Sequence, residues 1–426
     1  MIEGLTGLLP TGVLMDGVAT EWVGLLLRWL HIVTAMAWVG SSFYFMHVDA
    51  TLKPAPDMPA GKGGEAWEVH GGGFYHVRKY LVAPAALPDE LIWHKWESYT
   101  TWLSGFFLLV WIYYVSADVY LIDPAVRAIS TPVAVAIGLG GLALGWIVYD
   151  LLCRSKLGEN PAALAAVGFG FIVGMAWLFQ HVFSARGAFV HTGALMATIM
   201  TGNVFLIIIP NQAKVIASLM KGEEPDARYG KIGKIRSTHN NYLTLPVVFL
   251  MISGHYPLVW SGPYSVAIIA LVLVAGAFVR HFYNLRHLRK GNAWWMWIVA
   301  ALAIALAIAA SLPASPVMRE KLGLAEPVQT QVAGLAQAPA HVTDIVVSRC
   351  SMCHGDNPAW PGLAIAPKGV LLDTPERIER WREQVRMQAG LTRAMPPNNL
   401  TEMTDDERSQ IRLWGASQRA ALARVE

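Results

Sequence analysis

Residues 293–312 read AWWMWIVAALAIALAIAASL, a continuous run without a charged side chain. An α-helix of about 20 apolar residues is long enough to cross the hydrocarbon core of a bilayer. Seven further segments have similar length and character, at residues 22–45, 99–119, 132–152, 162–181, 191–213, 239–259 and 265–284. The sequence therefore predicts an all-α bundle of eight transmembrane helices, the last of which faces lipid.

The composition divides the chain into two predicted domains and a linker. Residues 1–312 are apolar and rich in Trp, residues 313–340 form a linker rich in Pro, Ala and Gln, and residues 341–426 have the composition of a soluble domain. Over the whole chain, 54% of the residues are hydrophobic and 15% are charged, which indicates a membrane protein. The formal net charge of +3 is too small to indicate a nucleic-acid partner.

Basic residues are distributed unevenly among the predicted connections. Those after the first, third, fifth and seventh helices hold sixteen Lys and Arg residues, whereas the N-terminus and the other connections hold only Arg127 and Arg186. Because Lys and Arg concentrate on the cytoplasmic side of a membrane, both termini are predicted on the outer side. We expect a multi-pass protein of a bacterial inner membrane with both termini in the periplasm.

The second decisive stretch is CSMCH at residues 350–354. Its C-x-x-C-H pattern is the attachment motif of c-type haem, in which Cys350 and Cys353 bind the haem vinyl groups and His354 ligates the iron. Met395, in RAMPP at residues 393–397, is the predicted second axial ligand. A redox or zinc-binding Cys pair is the alternative, and the adjacent His and the lack of a second Cys pair count against it.

The residues around this motif predict a small class I cytochrome c domain in the periplasm. Three helices are expected, leading from residue 341 into the haem motif and covering residues 376–388 and 404–423. Thr374 or Asp373 could cap the second helix, and Thr404 begins a capping-box sequence for the third. Trp414 on the third helix is expected to pack against the first.

Histidines recur at two predicted depths of the membrane domain. The outer layer comprises His31, His181, His191 and His255, and the inner layer comprises His47, His239, His281 and His287. Neutral imidazole is a good iron ligand and is costly to bury without a partner. The two layers could hold two b-type haems, or one haem b in the outer layer and a substrate site. For any single histidine, a hydrogen bond between helices is the simpler explanation.

Polar residues form a further predicted cluster at the inner side of the membrane. It comprises Asn211, Gln212, His239, Asn240, Asn241, Arg280 and His281. Amide side chains present paired donors and acceptors, and Arg can hold a planar anion, so a flat, weakly acidic heterocycle would suit this set. Helix capping and snorkelling of Arg280 are the alternative explanation. The long connection at residues 46–98 is predicted to be either a lid or a segment lying on the surface.

The eight predicted helices, the first connection with GGGFY at residues 71–75, and the CSMCH and AMPP motifs at residues 350–354 and 394–397 together resemble the bacterial membrane-bound urate oxidase (urate hydroxylase) family. The resemblance covers the whole chain. It implies oxidation of urate to 5-hydroxyisourate in purine catabolism, with electrons passed to cytochrome c rather than directly to oxygen. No catalytic residue of the membrane part is carried over from the family.

On this interpretation, urate binds in the inner polar cluster. The predicted binding residues are Asn211, Gln212, Asn240 and Asn241, and the predicted catalytic residues are Arg280 and a base, either His239 or His281. Electrons would cross through the outer histidines to haem c and continue to the respiratory chain. Two alternatives remain open, a quinol–cytochrome c oxidoreductase and a membrane-anchored cytochrome that only relays electrons.

Overall fold

The computed structural model describes residues 13–58, 63–80, 87–115, 117–287, 291–315, 321–324, 337–360, 365–391 and 395–422, with a few single positions between these ranges. Arg393 and Ala394 of the predicted Met395 loop and the side chain of His287 lie outside the described residues. The described chain is mostly helical, which agrees with the predicted class.

Eight long helices coincide with the eight predicted segments. They are α1 Val13–Thr51, α2 Trp96–Leu109, α3 Thr131–Arg154, α4 Pro161–Gln180, α5 Ala185–Gly202, α6 Ala227–Ser253, α7 Ser265–His287 and α8 Trp295–Ser311. Helix α2 continues into a π-helical turn, Val110–Tyr114. Helix α5 continues into a second π-helical turn, Asn203–Ile208, and then resumes as Ile209–Met220. Single-turn helices at Ala117–Tyr120 and Pro257–Trp260 lie in two connections.

Six of the described helices are long and apolar enough to cross a membrane. These six are Trp22–Thr51, Thr131–Arg154, Pro161–Gln180, Ala185–Met220, Ser265–Arg286 and Trp295–Ala314. Helix α2 is not among them because it has only 14 residues, and α6 is not because its first half, ARYGKIGKIRSTHNN, is polar. Six spans rest on length and hydropathy, and the full set of eight stays a prediction.

Small residues on α3 let its neighbours approach closely, as expected for helices packed in a membrane. A Cβ added at Gly141 would meet the Phe179 ring of α4 at 2.7 Å, and one added at Gly145 would meet Leu195 of α5 at 2.6 Å. Phe179 and Leu195 belong to the main buried apolar cluster, which joins α2 to α7. On α8, by contrast, Ile298 is 62% exposed, as expected of a helix that faces lipid.

The connection after α1 contains a β-hairpin, so the purely all-α prediction is wrong for this segment. Strands β1 Gly63–His70 and β2 Gly73–Tyr80 pair antiparallel, with His70 opposite Gly73. Gly71 and Gly72 form the turn with φ of +58° and +82°. A two-residue hairpin turn of type I′ needs positive φ at both positions, and Gly adopts it without steric cost. The hairpin lies against the end of α1 through a 2.6 Å hydrogen bond from Tyr44 to Glu68.

The C-terminal unit has its own buried core. Its helices are α9 Ala340–His354, α10 Pro375–Arg380, α11 Arg382–Val385 and α12 Asp405–Leu422, with a π-helical turn, Arg386–Leu391, after α11. Val346 of α9, Ile378 of α10 and Trp414 of α12 share one apolar cluster. Trp414 therefore shares a buried core with the first helix of this unit, in agreement with the prediction.

The helix ends of this unit follow their capping residues. Thr374 caps α10, since its hydroxyl accepts from the Arg377 amide at 3.3 Å. Thr404 and Glu407 form the predicted capping box, with the Thr404 amide donating to the Glu407 carboxylate at 2.7 Å and the Glu407 amide donating to the Thr404 hydroxyl at 3.2 Å. The predicted helix at 376–388 is broken at Trp381, where φ and ψ of −98° and 15° leave the α region.

Candidate functional site

Three of the predicted haem c residues line one cavity, which we call the outer cavity. Cys350, His354 and Met395 contribute to its wall, and its volume is about 730 Å³. The opposite wall comes from the N-terminal helices and their connections and includes Trp22, Arg28, Trp111, Tyr120, Arg186 and His255. The outer cavity therefore lies between the C-terminal unit and one end of the helix bundle.

The His354 side chain is held with one ring nitrogen available. Its Nδ1 donates to the main-chain carbonyl of Val370 at 3.0 Å, so Nε2 is the nitrogen left for a ligand. Histidines that bind metals commonly donate their other N–H to a backbone carbonyl in this way. Burial lowers the pKa of His354, which favours the neutral form that binds iron. Burial also raises the pKa of the Cys350 thiol to about 12.

The loop that carries Met395 is pinned by a buried arginine. Arg408 Nη1 donates to the carbonyls of Met395 and Ala389, both at 2.8 Å. Arg408 Nη2 donates to Asn399 Oδ1 at 2.8 Å. A planar guanidinium fixes several acceptors at once, so Met395 is positioned before any ligand binds. Together with the free Nε2 of His354, this geometry fits a haem iron held by one imidazole and one thioether.

The C-terminal unit contacts the N-terminal part beside the outer cavity. The Trp381 ring lies 5.8 Å from the Tyr120 ring in an edge-to-face arrangement. Arg380 donates to the Ile122 carbonyl at 3.3 Å. A Cβ added at Gly369 would meet the Trp260 ring at 2.5 Å. These contacts turn the haem-motif side of the unit towards the helix bundle.

The four outer histidines have separate surroundings. His31 Nδ1 lies 3.0 Å from the Thr101 carbonyl on α2. His191 is fully buried, with Nδ1 2.8 Å from the Gly187 carbonyl and Nε2 3.1 Å from the Tyr114 hydroxyl. His181 is exposed and contacts the carbonyl four residues before it, and His255 lines the outer cavity. Hydrogen bonds between helices account for His31 and His191, and a haem b at these residues stays a prediction.

A second cavity, the inner cavity, lies at the opposite ends of α3 and α6. Its volume is about 440 Å³. It is lined by Cys153, Arg154, Gly158, Leu164, Leu206, Ile207, Pro210, Asn211, Lys214, Ile232, Ile235, Arg236 and His239. Three of these side chains are cationic, and no Asp or Glu of the described chain is part of the lining. Asp150, behind the wall, bonds both Arg154 and Arg236 at 2.6 Å. The inner cavity therefore suits an anion.

The predicted inner cluster is divided between two places, which corrects the expectation of a single site. Asn211 and His239 line the inner cavity, whereas Gln212 is exposed. Asn241 accepts from Arg280 Nε at 2.5 Å on another side of α6.

The division of the predicted cluster between two places follows from helix geometry. Neighbouring residues of an α-helix point about 100° apart, so His239, Asn240 and Asn241 cannot face one ligand. Arg280 also lies over the Phe43 ring at 4.2 Å, and His281 Nδ1 pairs with the Tyr242 hydroxyl at 2.7 Å.

Comparison with known protein families assigns the part of the chain that contains the inner cavity to one family. The urate oxidase N-terminal family model matches residues 17–311. The chain belongs to this family. The match covers every residue that lines the inner cavity and ends before the CSMCH motif. It indicates an oxidoreductase that acts on urate. No curated protein and no solved structure matches the chain significantly.

Within the family region, sequence reasoning missed most of the residues that surround His239. Tyr149 lies with its hydroxyl 2.8 Å from His239 Nδ1, and it also accepts from Asn203 Nδ2 at 2.9 Å. Arg236 is 4% exposed and lies over the Tyr149 ring at 5.1 Å. The signal was present at the end of α3, where YDLLCR places Tyr149 and Cys153 four residues apart, and therefore on one helix face.

Proposed function

We propose that this protein oxidises urate to 5-hydroxyisourate in the inner cavity and passes the electrons to a haem c attached at Cys350 and Cys353. The observation that carries the proposal is that the urate oxidase N-terminal family match contains the whole cation-lined inner cavity. The resemblance noted from the sequence supports the same activity, in purine catabolism, for a bacterial inner-membrane protein.

The inner cavity suits urate in size and charge. Its volume of about 440 Å³ lies in the range of small-molecule sites, roughly 300–1,000 Å³. Urate is a planar monoanion at neutral pH, and Arg154, Lys214 and Arg236 supply positive charge. Asn211 and His239 add groups that can form hydrogen bonds with the urate oxygens and nitrogens. Arg280 and His281, which the sequence suggested as catalytic residues, lie with other partners and are less suited to contact the same ligand.

The proposed reaction balances without oxygen. The urate anion and one water give 5-hydroxyisourate, one proton and two electrons, with the new oxygen at C5 coming from water. The chain must therefore bind the anion, admit water and release a proton at the inner cavity. The two electrons must leave towards the outer cavity, through the predicted haem b site at the outer histidines or by another route.

The residues of the outer cavity fit the electron acceptor. Cys350 of the cavity wall and Cys353 of the same motif would hold the haem by thioether bonds, and His354 and Met395 would bind its iron. The haem would supply a one-electron acceptor, with a potential raised by the Met ligand. His354 is oriented for this role by the Val370 carbonyl, and Met395 by Arg408. A respiratory-chain component would then oxidise the haem.

Anaerobic addition of urate to the purified protein tests this proposal. We expect the c-type haem absorption to change to that of the reduced form, with one 5-hydroxyisourate formed for every two electrons accepted by an added soluble cytochrome. A quinol added instead of urate is the comparison, because a quinol–cytochrome c oxidoreductase would respond to it. Reduction by quinol with no response to urate would refute the proposed function.

A further inference from the structure

A chain of buried hydrogen bonds leads from Arg236 to His239. Arg236 Nη1 donates to Asn203 Oδ1 at 3.2 Å. Because a guanidinium can only donate, the Asn203 atom that faces it must be the oxygen. The Asn203 nitrogen then donates to Tyr149 Oη at 2.9 Å and to Asn240 Oδ1 at 2.8 Å. The orientation of this amide follows from its first partner.

The other end of this series of hydrogen bonds gives the same orientation of the Asn203 amide independently. Asn240 Nδ2 donates to the main-chain carbonyl of Met200 at 2.9 Å, and a carbonyl can only accept. The Asn240 atom that faces Asn203 is therefore the oxygen, which requires a nitrogen on Asn203. Amide orientations ordinarily have to be assigned from their networks. Here one group that only donates and one that only accepts lead to the same assignment.

The orientation of the Asn203 amide determines the direction of the hydrogen bond between the Tyr149 hydroxyl and His239. The hydroxyl oxygen accepts the Asn203 N–H, and the hydroxyl hydrogen needs an acceptor. His239 Nδ1 lies 2.8 Å away, and Cys153 Sγ lies 3.9 Å from the same Nδ1. If Nδ1 carried a hydrogen, the Tyr149 hydroxyl hydrogen would have only the Cys153 thiol as an acceptor, and a thiol is a weak acceptor. An imidazole nitrogen without a hydrogen is a good acceptor. The hydroxyl therefore donates to Nδ1.

From this network we infer that His239 is a neutral imidazole with its hydrogen on Nε2, and that it binds urate as a hydrogen-bond donor rather than acting as the base. Nδ1 is occupied by the Tyr149 hydrogen, and Nε2–H is the remaining polar group of a side chain that lines the inner cavity. Arg236, Asn203 and Tyr149 are positioning residues that act through His239. This inference rests on the proposed function and reverses the role that sequence alone suggested for His239.

The first test separates a donor from a base by substitution at His239. His239→Gln keeps an N–H that can reach an anion but removes the imidazole. A donor role predicts that kcat for urate stays within about tenfold of wild type, whereas loss of a general base costs roughly 10²- to 10⁴-fold. His239→Leu, which has no donor, should raise KM for urate by about tenfold to a hundredfold. A kcat loss of three orders of magnitude in His239→Gln, with KM unchanged, would overturn the inference.

The second test addresses the positioning residues with a matched pair of variants. Tyr149→Phe removes only the hydroxyl and keeps the ring under Arg236. We expect KM for urate to rise by roughly three- to tenfold with little change in kcat, since one hydrogen bond that orients the donor is lost. Tyr242→Phe makes the same change beside His281, away from the inner cavity, and should leave KM unchanged. If only Tyr242→Phe raised KM, the site would lie elsewhere.

The tautomer can be measured without urate. The protein contains 13 histidines, and the difference between ¹⁵N-histidine NMR spectra of wild type and His239→Gln isolates the signals of one ring. We expect an unprotonated Nδ1 and a protonated Nε2. Asn203→Asp should reverse the pattern, because a carboxylate would accept the Tyr149 hydrogen and Tyr149 would then accept from Nδ1–H. A protonated Nδ1 in wild type would refute the inference even if urate is the substrate, and failure of urate to reduce the haem would refute only the proposed function.

Discussion

The two cavities hold their key histidines by different means. In the outer cavity, the partner of His354 is a main-chain carbonyl of the same unit, Val370, sixteen residues along the chain. In the inner cavity, the partner of His239 is the side chain of Tyr149, which is held by Asn203 and Arg236 from other parts of the bundle. The first arrangement depends on a short segment of backbone. The second depends on α3, α5 and α6 keeping their relative positions, so it should be more sensitive to distant substitutions.

The largest expected effect is loss of covalent haem, which should follow from substitution of the CSMCH cysteines and not from substitution of the cysteine in the inner cavity. The double substitution Cys350→Ser and Cys353→Ser removes both attachment points of the proposed haem, so we expect the covalent c-type haem to be lost and urate-dependent electron transfer to fall to background. Cys153→Ser, at the only cysteine outside the CSMCH motif, lies in the inner cavity and should leave the haem content unchanged. Haem staining of denatured protein measures both. Loss of covalent haem from the Cys153 variant would contradict the assignment.

The next effect concerns the stability of the inner network. Arg236→Ala should reduce the free energy of unfolding by about 3–5 kcal/mol, because it leaves the largely buried Asp150 carboxylate without its buried partner. The Arg236 side chain is 5% exposed and that of Asp150 is 15% exposed.

Arg154→Ala is the matched control, since Arg154 bonds the same carboxylate but is 65% exposed, and we expect a loss of about 0–1 kcal/mol. Thermal unfolding in detergent compares the two variants. Equal losses would show that burial of Arg236 does not matter.

A smaller effect tests whether the inner cavity binds an anion. Lys214→Ala removes a cationic side chain from the cavity wall without breaking a buried pair, so KM for urate should rise by about tenfold while stability is kept. Lys221→Ala, at the end of the same helix and outside the lining, provides the control. Steady-state kinetics at low and moderate salt should show that only Lys214→Ala raises KM, and that this rise becomes smaller as the salt concentration increases. An unchanged KM for Lys214→Ala would contradict the anion site.

The smallest effect concerns the C-terminal unit and depends on pH. Burial alone would raise the pKa of Glu407, but hydrogen bonds from the Thr404 amide and hydroxyl and from Arg349 outweigh it and hold the pKa below its usual value. A carboxyl with a lowered folded-state pKa stabilises the fold above its unfolded pKa, about 4.3, and this contribution is lost as pH falls through the folded-state pKa.

Glu407→Gln should therefore destabilise the unit at pH 7 and have less effect at an acidic pH below the folded-state pKa of Glu407. Asp406→Asn, one residue earlier in α12, is the control. Thermal unfolding followed by haem absorption measures both at the two pH values. A destabilisation by Glu407→Gln that was the same at both pH values would contradict the electrostatic cause.

Local sequence was sufficient for some features and insufficient for others. Apolar length located all eight long helices, and Thr404 marked the start of α12 because capping acts over a single turn. The β-hairpin was missed although Gly71 and Gly72 were noted, since its strands lack a clear alternation of apolar and polar residues. The divergence of Asn240 and Asn241 could have been predicted from helix geometry. The tautomer of His239 could not, because it depends on the main-chain carbonyl of Met200 and on Arg236.

The π-helical turn Asn203–Ile208 has a consequence for how this family can vary in length. A π-helical turn contains one residue more than the α-helical turn it replaces. Deletion of one residue from this turn would leave α5 intact but rotate the following segment, Ile209–Met220, by about 100°. Asn211 and Lys214 would then turn away from the inner cavity while Asn203 stayed in place. Sequences that bind the same ligand are therefore expected to tolerate substitutions within 204–208 and to exclude single-residue gaps there.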